Sequence, residues 1–77
     1  MFKTLTSMFY STGTALGIRP EALDAAIAAG AKARWDSGAV VITYPDGRES
    51  YHKAALGMHA RAAKWCNKFN DRASNAS

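Results

Sequence analysis

A single cysteine, Cys66, excludes any internal disulfide, and a lone thiol of this kind reads as a small buried apolar residue. Prolines are nearly as scarce. The two present each have a place, Pro20 at a helix start and Pro45 in a turn. No uninterrupted apolar run is long enough to span a bilayer. Met1-Phe2-Lys3 brings a cation and some apolar residues, but Thr4 to Gly17 is too broken by threonine, serine and glycine for a signal peptide. An intracellular chain is therefore the expectation. Acidic residues are the minority, six against ten lysines and arginines, giving a net charge of +4 and a pI near 9.6. That balance permits an anionic partner without requiring one. Large apolar side chains are also thin on the ground. The 77 residues are 48% apolar, but much of that is alanine, so one small domain with a slight core is expected, of the kind that partners or further copies often complete.

Catalytic groupings are missing as well. His52 and His59 have no cysteine or carboxylate at ligand spacing, so a structural or interfacial histidine is expected and no metal site. Gly13, Gly17 and Gly30 do not form a phosphate loop. Ser11, Ser37 and Ser50 have no recognisable base partner. The chain is not expected to be an enzyme or to hold a cofactor.

What is present is concentrated between Val40 and Asn70. Val40-Val41-Ile42-Thr43-Tyr44 is β-branched and aromatic, as a strand prefers. Pro45-Asp46-Gly47 is a structural turn: proline fixes φ at the second position, aspartate tolerates the third, and glycine can take the left-handed conformation that closes the hairpin. The turn sets a register pairing Tyr44 with Arg48, Thr43 with Glu49, Ile42 with Ser50, Val41 with Tyr51 and Val40 with His52. Neither face of the ribbon is cleanly polar. Val40 and Ile42 are expected to face the helices. A two-stranded ribbon needs packing to be stable, and another subunit is a candidate for the second face.

A helix from about Lys53 to Phe69 follows. Ala54, Ala55, Leu56, Met58, Ala62, Ala63, Trp65, Cys66 and Phe69 share one arc, with His59 inside it, while Lys53, Gly57, Arg61, Lys64 and Lys68 share the opposite one. Asn70 is expected to end it in the left-handed region. Ahead of the hairpin, Pro20 and Glu21 suit a helix N-terminus, and a helix from about Pro20 to Arg34 is expected. Leu23, Ala26, Ile27 and Gly30 would lie on its apolar face, with Gly30 admitting close approach or simply tolerated. Asp36-Ser37-Gly38 reads as a loop. Residues 1–17 are expected to be an N-terminal arm, short and either helical or extended, interrupted by Ser11-Thr12-Gly13-Thr14, and either frayed or packing Met8, Phe9 and Tyr10 on a neighbour. Residues 18–70 are expected to form the helix–hairpin–helix domain, of α+β class, and the small polar residues 71–77 a disordered tail.

Two groups of residues are candidates for binding. Lys53, Arg61, Lys64 and Lys68 form a basic stripe that could meet a nucleic-acid backbone or an acidic protein, or could simply be solvated and complement the helix C-terminus. Nothing indicates sequence-specific base reading. Met8, Phe9, Tyr10, Trp35 and Trp65 are candidate protein-interface residues, with core placement of the tryptophans as the plain alternative.

From Ala22 to Phe69 the order of elements resembles the phage head-completion family typified by lambda protein W. The marks are an alanine-rich first helix, Gly38, a strand of valine and isoleucine, Asp46-Gly47-Arg48 at the hairpin tip, Tyr51 soon after, and a closing amphipathic helix. The sequence departs from that pattern at Trp65-Cys66-Asn67-Lys68-Phe69 and in the length of its first segment, Met1 to Arg19. The resemblance implies a structural virion protein of the neck, assembled as a homo-oligomeric ring. It would bind the portal and the neighbouring neck or tail proteins, help retain packaged DNA, use its flexible termini in docking, and carry no catalytic residues. Two other roles fit the residues: a small nucleic-acid-associated regulator using the basic stripe, and a small anti-defence inhibitor of a host protein.

Overall fold

A computed structural model describes residues 2–76, with side chains from Met8 to Ala76; Met1 and Ser77, the outermost residues of the expected arm and tail, lie outside it. The chain is α+β, running α1 (Phe2–Ala15), α2 (Pro20–Ala28), β1 (Lys32–Asp36), β2 (Ala39–Thr43), β3 (Glu49–Lys53), a 3-10 turn at Leu56–Met58 and α3 (His59–Ala76). The strands form one antiparallel sheet in the order β1-β2-β3.

The expected β2–β3 hairpin is present in the expected register. Thr43 lies opposite Glu49, Ile42 opposite Ser50, Val41 opposite Tyr51 and Val40 opposite His52. The Tyr44 N–H donates to the Arg48 carbonyl at 2.8 Å and the Gly47 N–H to the Tyr44 carbonyl at 2.9 Å. Gly47 has φ +95°, with open space where a Cβ would stand. Strain, not crowding, would therefore oppose a side chain there. Gly47→Val should cost about 1–3 kcal/mol in urea unfolding, and a variant that melts like the parent would contradict this turn.

The helix expected from Pro20 to Arg34 instead stops at Ala28. Gly30 takes φ +79°, and a Schellman pair closes the helix: Ala31 N–H to the Ala26 carbonyl and Gly30 N–H to the Ile27 carbonyl, both at 3.1 Å. The role of Gly30 is thus to end the helix. Beyond it, Lys32-Ala33-Arg34-Trp35-Asp36 alternates in exposure and pairs with β2 as a third strand, Ala33 opposite Ile42 and Trp35 opposite Val40. The expected loop at Asp36-Ser37-Gly38 is a two-residue hairpin turn with positive φ at both Ser37 and Gly38, the type I′ geometry whose twist matches that of the strands.

The arm segment is helical over Phe2–Ala15 (α1), and it joins the core of its own domain: Phe9 and Thr12 of the helix and Leu16 just after it are buried. Gly13 does not interrupt this helix. A Cβ there would meet Leu23 Cδ2 at 3.0 Å and Trp65 Cζ2 at 3.6 Å, so its missing side chain lets α1 seat against α2 and α3. The polar tail is also structured, since α3 continues to Ala76 with Ala73 buried. Asn70, expected to end that helix, lies within it.

The core lies between the helices and the inner face of the sheet. Phe69, Leu23, Ile42 and Val40 are fully buried, with Ala26, Ala31, Ala33, Ala62 and Ala73 allowing close packing around them. Val40 and Ile42 face the helices as expected. Val41 points to the other face and is nevertheless fully buried, between Arg34 and Tyr51 on the flanking strands. The first edge of the sheet is capped by a side chain. The Asn70 amide accepts from the Ala33 N–H at 2.7 Å and donates to the Ala33 carbonyl at 2.9 Å, taking the place of a neighbouring strand.

Candidate docking groove

α3 divides its residues between two environments. Ala62, Trp65, Cys66, Phe69 and Ala73 turn inward. Burial pushes the Cys66 thiol up from its ordinary value, so it stays protonated at neutral pH and behaves as a small apolar residue. Arg61, Lys64 and Lys68, spaced three and four apart, share the exposed side. They line a groove of about 310 Å3 between α3 and α1, together with Ala60, Trp65, Met8, Phe9 and Thr12. No carboxylate is among these residues, and among the described residues none of the three cations has an ion-pair partner.

The wall of the groove is held by aromatic contacts. Phe9 stacks on Trp65 with ring centroids 5.3 Å apart, and Trp65 Nε1–H donates to the Phe9 carbonyl at 2.9 Å. The Arg72 guanidinium lies 4.2 Å over the Phe9 ring. Tyr10 donates its hydroxyl to Asp24, tying α1 to α2, and this bond to a carboxylate raises the phenol above its ordinary value. Met8 is half exposed at the groove's edge. The result is an apolar floor, rigid because it belongs to the core, with a rim of one charge sign. Such a surface can receive a polyanion whose partner also offers some apolar area.

The candidate residues thus separate. Arg61, Lys64, Lys68 and Met8 come together. Lys53 does not join them, because the chain is still in β3 at that point and α3 begins only at His59. Phe9 and Trp65 are core residues that reach the groove only as its floor. Trp35 is half-buried and meets His59 edge-on, with centroids 5.1 Å apart. Pro45, Asp46 and Gly47 are exposed at the hairpin tip. There Asp46 accepts from the Arg48 N–H at 3.0 Å and from Arg48 Nε at 2.8 Å, which holds its carboxyl below the ordinary range. Arg72 carries no sequence signal, because its ring contact needs α1 in place; Asn70, expected to end the helix, instead bonds Ala33 in a strand that the sequence pattern places in a helix.

The histidines occupy separate sites. His59 Nε2 lies 3.3 Å from the Ala54 carbonyl. His52 shares a 2.9 Å hydrogen bond with Ser50 Oγ, and burial lowers its imidazole below the ordinary 6.5, partly offset by the Leu16 carbonyl. With the folded value lowered, the unfolded chain takes up this proton first. The contribution is present above pH 6.5 and is lost as pH falls through and below it. Urea unfolding at pH 7.5 and 5.5 should show a loss on acidification that shrinks in His52→Asn; an equal loss in both chains would contradict the assignment.

Comparison with known protein families, with curated proteins and with solved structures finds no match to this chain. Its function is therefore argued from the groove. Among the described residues no helix is long and apolar enough to cross a membrane.

Proposed function

We propose that the chain is a non-catalytic docking module whose α1–α3 groove presents Arg61, Lys64 and Lys68 to a polyanionic surface. The observation that carries this is the grouping of three exposed cations around one groove, where among the described residues no carboxylate lines the groove and none of the three has an ion-pair partner. Cations placed this way contribute little to folding, so reversing them should spare the fold. They gain when they displace the counterions of a nucleic acid or face an acidic protein.

The setting we propose is the neck of a tailed phage, where the protein would join a DNA-filled portal and the next connector or tail component and help retain the genome. The Gly38-led strand, the Asp46-Gly47-Arg48 tip, Tyr51 and the closing amphipathic helix support that setting. The third strand is additional to the order this resemblance implied, and α1 packs Phe9 and Thr12 into the core of its own domain, leaving Met8 exposed at the groove. The weight accordingly rests on the groove. A second reading, a small nucleic-acid-associated regulator, is favoured by the same unpartnered cations.

The test is completion of purified DNA-filled heads that lack the protein. Under the neck reading, added protein should make them retain DNA and become competent for tail joining. Portal, terminase and capsid genes should also flank its gene. Salt-sensitive binding to free duplex DNA with no effect on heads would select the regulator instead.

A further inference from the structure

The two edges of the sheet are finished differently. On β1 the Asn70 amide occupies the outward backbone groups of Ala33. On β3, exposed Glu49, Tyr51 and Lys53 alternate with half-buried Ser50 and His52. The bonding pattern shows which backbone groups of β3 point outward. Tyr44 N–H donates to the Arg48 carbonyl at 2.8 Å, and Ala54 N–H donates to the Gly38 carbonyl at 2.9 Å. Bonded and non-bonded pairs alternate along an antiparallel ladder, so Ile42–Ser50 and Val40–His52 are the bonded pairs between these two. The N–H and C=O groups of Glu49, Tyr51 and Lys53 consequently point away from β2.

We propose that β3 pairs antiparallel with β3 of a second copy, centred on Tyr51, joining two sheets into one. The segment Glu49-Ser50-Tyr51-His52-Lys53 is complementary to its own reverse. Glu49 falls opposite Lys53, Ser50 opposite His52, and Tyr51 opposite Tyr51. Residues whose backbone groups point outward then meet one another, so each of these pairs exchanges both backbone bonds. Both Glu49–Lys53 pairs lie on the outer face, where opposite charges across strands stabilise pairing. Glu49 is already held on that face by Arg34 at 3.0 Å and by the Tyr51 hydroxyl at 3.2 Å.

The apolar surface beside this edge points the same way. Tyr51 is 64% exposed and Leu56 86% exposed, and with Ala39 and Ala55 they line one shallow depression. Among the described residues nothing caps the β3 edge; two-fold pairing uses that edge of each copy and closes the assembly, whereas an uncapped edge invites indefinite addition. The groove lies on α1 and α3, so this inference stands independently of the docking proposal.

The test is sedimentation velocity over a concentration series, with amide exchange followed at Tyr51 and Lys53. The parent should dimerise, and both amides should become protected as concentration rises. Glu49→Lys and Lys53→Glu each set like charges opposite, and each alone should weaken self-association about tenfold. An equimolar mixture of the two variants restores opposite charges at both positions and should recover the dimer. Because Glu49→Lys also removes the contact with Arg34, circular dichroism of each variant accompanies the measurement. A parent that is monomeric at every concentration overturns the proposal. So does a dimer that is indifferent to both variants and leaves Tyr51 and Lys53 unprotected.

Discussion

Replacing Phe9 with alanine should destabilise the domain by about 3–5 kcal/mol, measured by urea unfolding of the parent and the variant. Phe9 is 3% exposed, stacks on Trp65 and lies beneath the Arg72 guanidinium. Its carbonyl also accepts the Trp65 indole N–H. Truncation would leave a cavity between α1 and α3 and loosen that bond. In a domain this small such a loss approaches the whole stability, so the variant should be largely unfolded at room temperature. Deleting residues 1–17 should do the same, where an arm outside the core would come off without effect. A loss below about 1 kcal/mol for Phe9→Ala would mean that α1 is not part of the folded unit.

Asn70→Ala should cost about 1–3 kcal/mol and open the capped edge of the sheet. The amide of Asn70 satisfies both the N–H and the C=O of Ala33, and among the described residues no other side chain gives β1 such a pair. Without it, two backbone groups in a partly buried place lose their partners. The Ala33 amide should then exchange faster than in the parent, and the variant should aggregate more readily, because an open edge templates strand addition. Unchanged exchange at Ala33 would show that the cap contributes nothing to the edge.

What the sequence made legible was set by local chemistry. Pro45-Asp46-Gly47 specifies a turn by itself, and the turn then dictates every pairing from Val40–His52 to Tyr44–Arg48. Along α3, Ala62, Trp65 and Phe69 recur at helical spacing, so that helix and the exposed side holding Arg61, Lys64 and Lys68 could both be read. β1 could not be read with the same ease, because Ala31 and Ala33 suit a helix as well as a strand and follow an alanine-rich helix directly. The informative residue was Gly30, which can either sit on a helix face or end the helix, and only the strand beyond it decides. The alternation of Lys32, Ala33, Arg34, Trp35 and Asp36 was the available signal, carried by a single large apolar side chain.

α1 was obscured for a different reason. Gly13 and the hydroxyls beside it lower helix propensity, and the gain that offsets this comes from Leu23 and Trp65, which are distant in sequence. The groove inherits that difficulty. Its basic rim belongs to α3 alone, but its floor exists only once α1 has docked. The placement of Lys53 in the stripe followed from starting the helix at the end of the strand; the intervening Ala54 to Met58, which includes the 3-10 turn, moves the helix start to His59.

The most direct test of the docking groove compares the parent with a triple variant, Arg61→Glu, Lys64→Glu and Lys68→Glu, in binding to DNA-filled heads at low and at high salt. Each cation contributes on the order of 0–1 kcal/mol to folding, so the circular dichroism spectrum should be unchanged. Parent binding should weaken as salt rises, since charges are screened over about 8 Å at physiological ionic strength, and the triple variant should bind weakly in both conditions. Equal, salt-independent binding by both proteins, with intact spectra, would contradict the groove as the docking site.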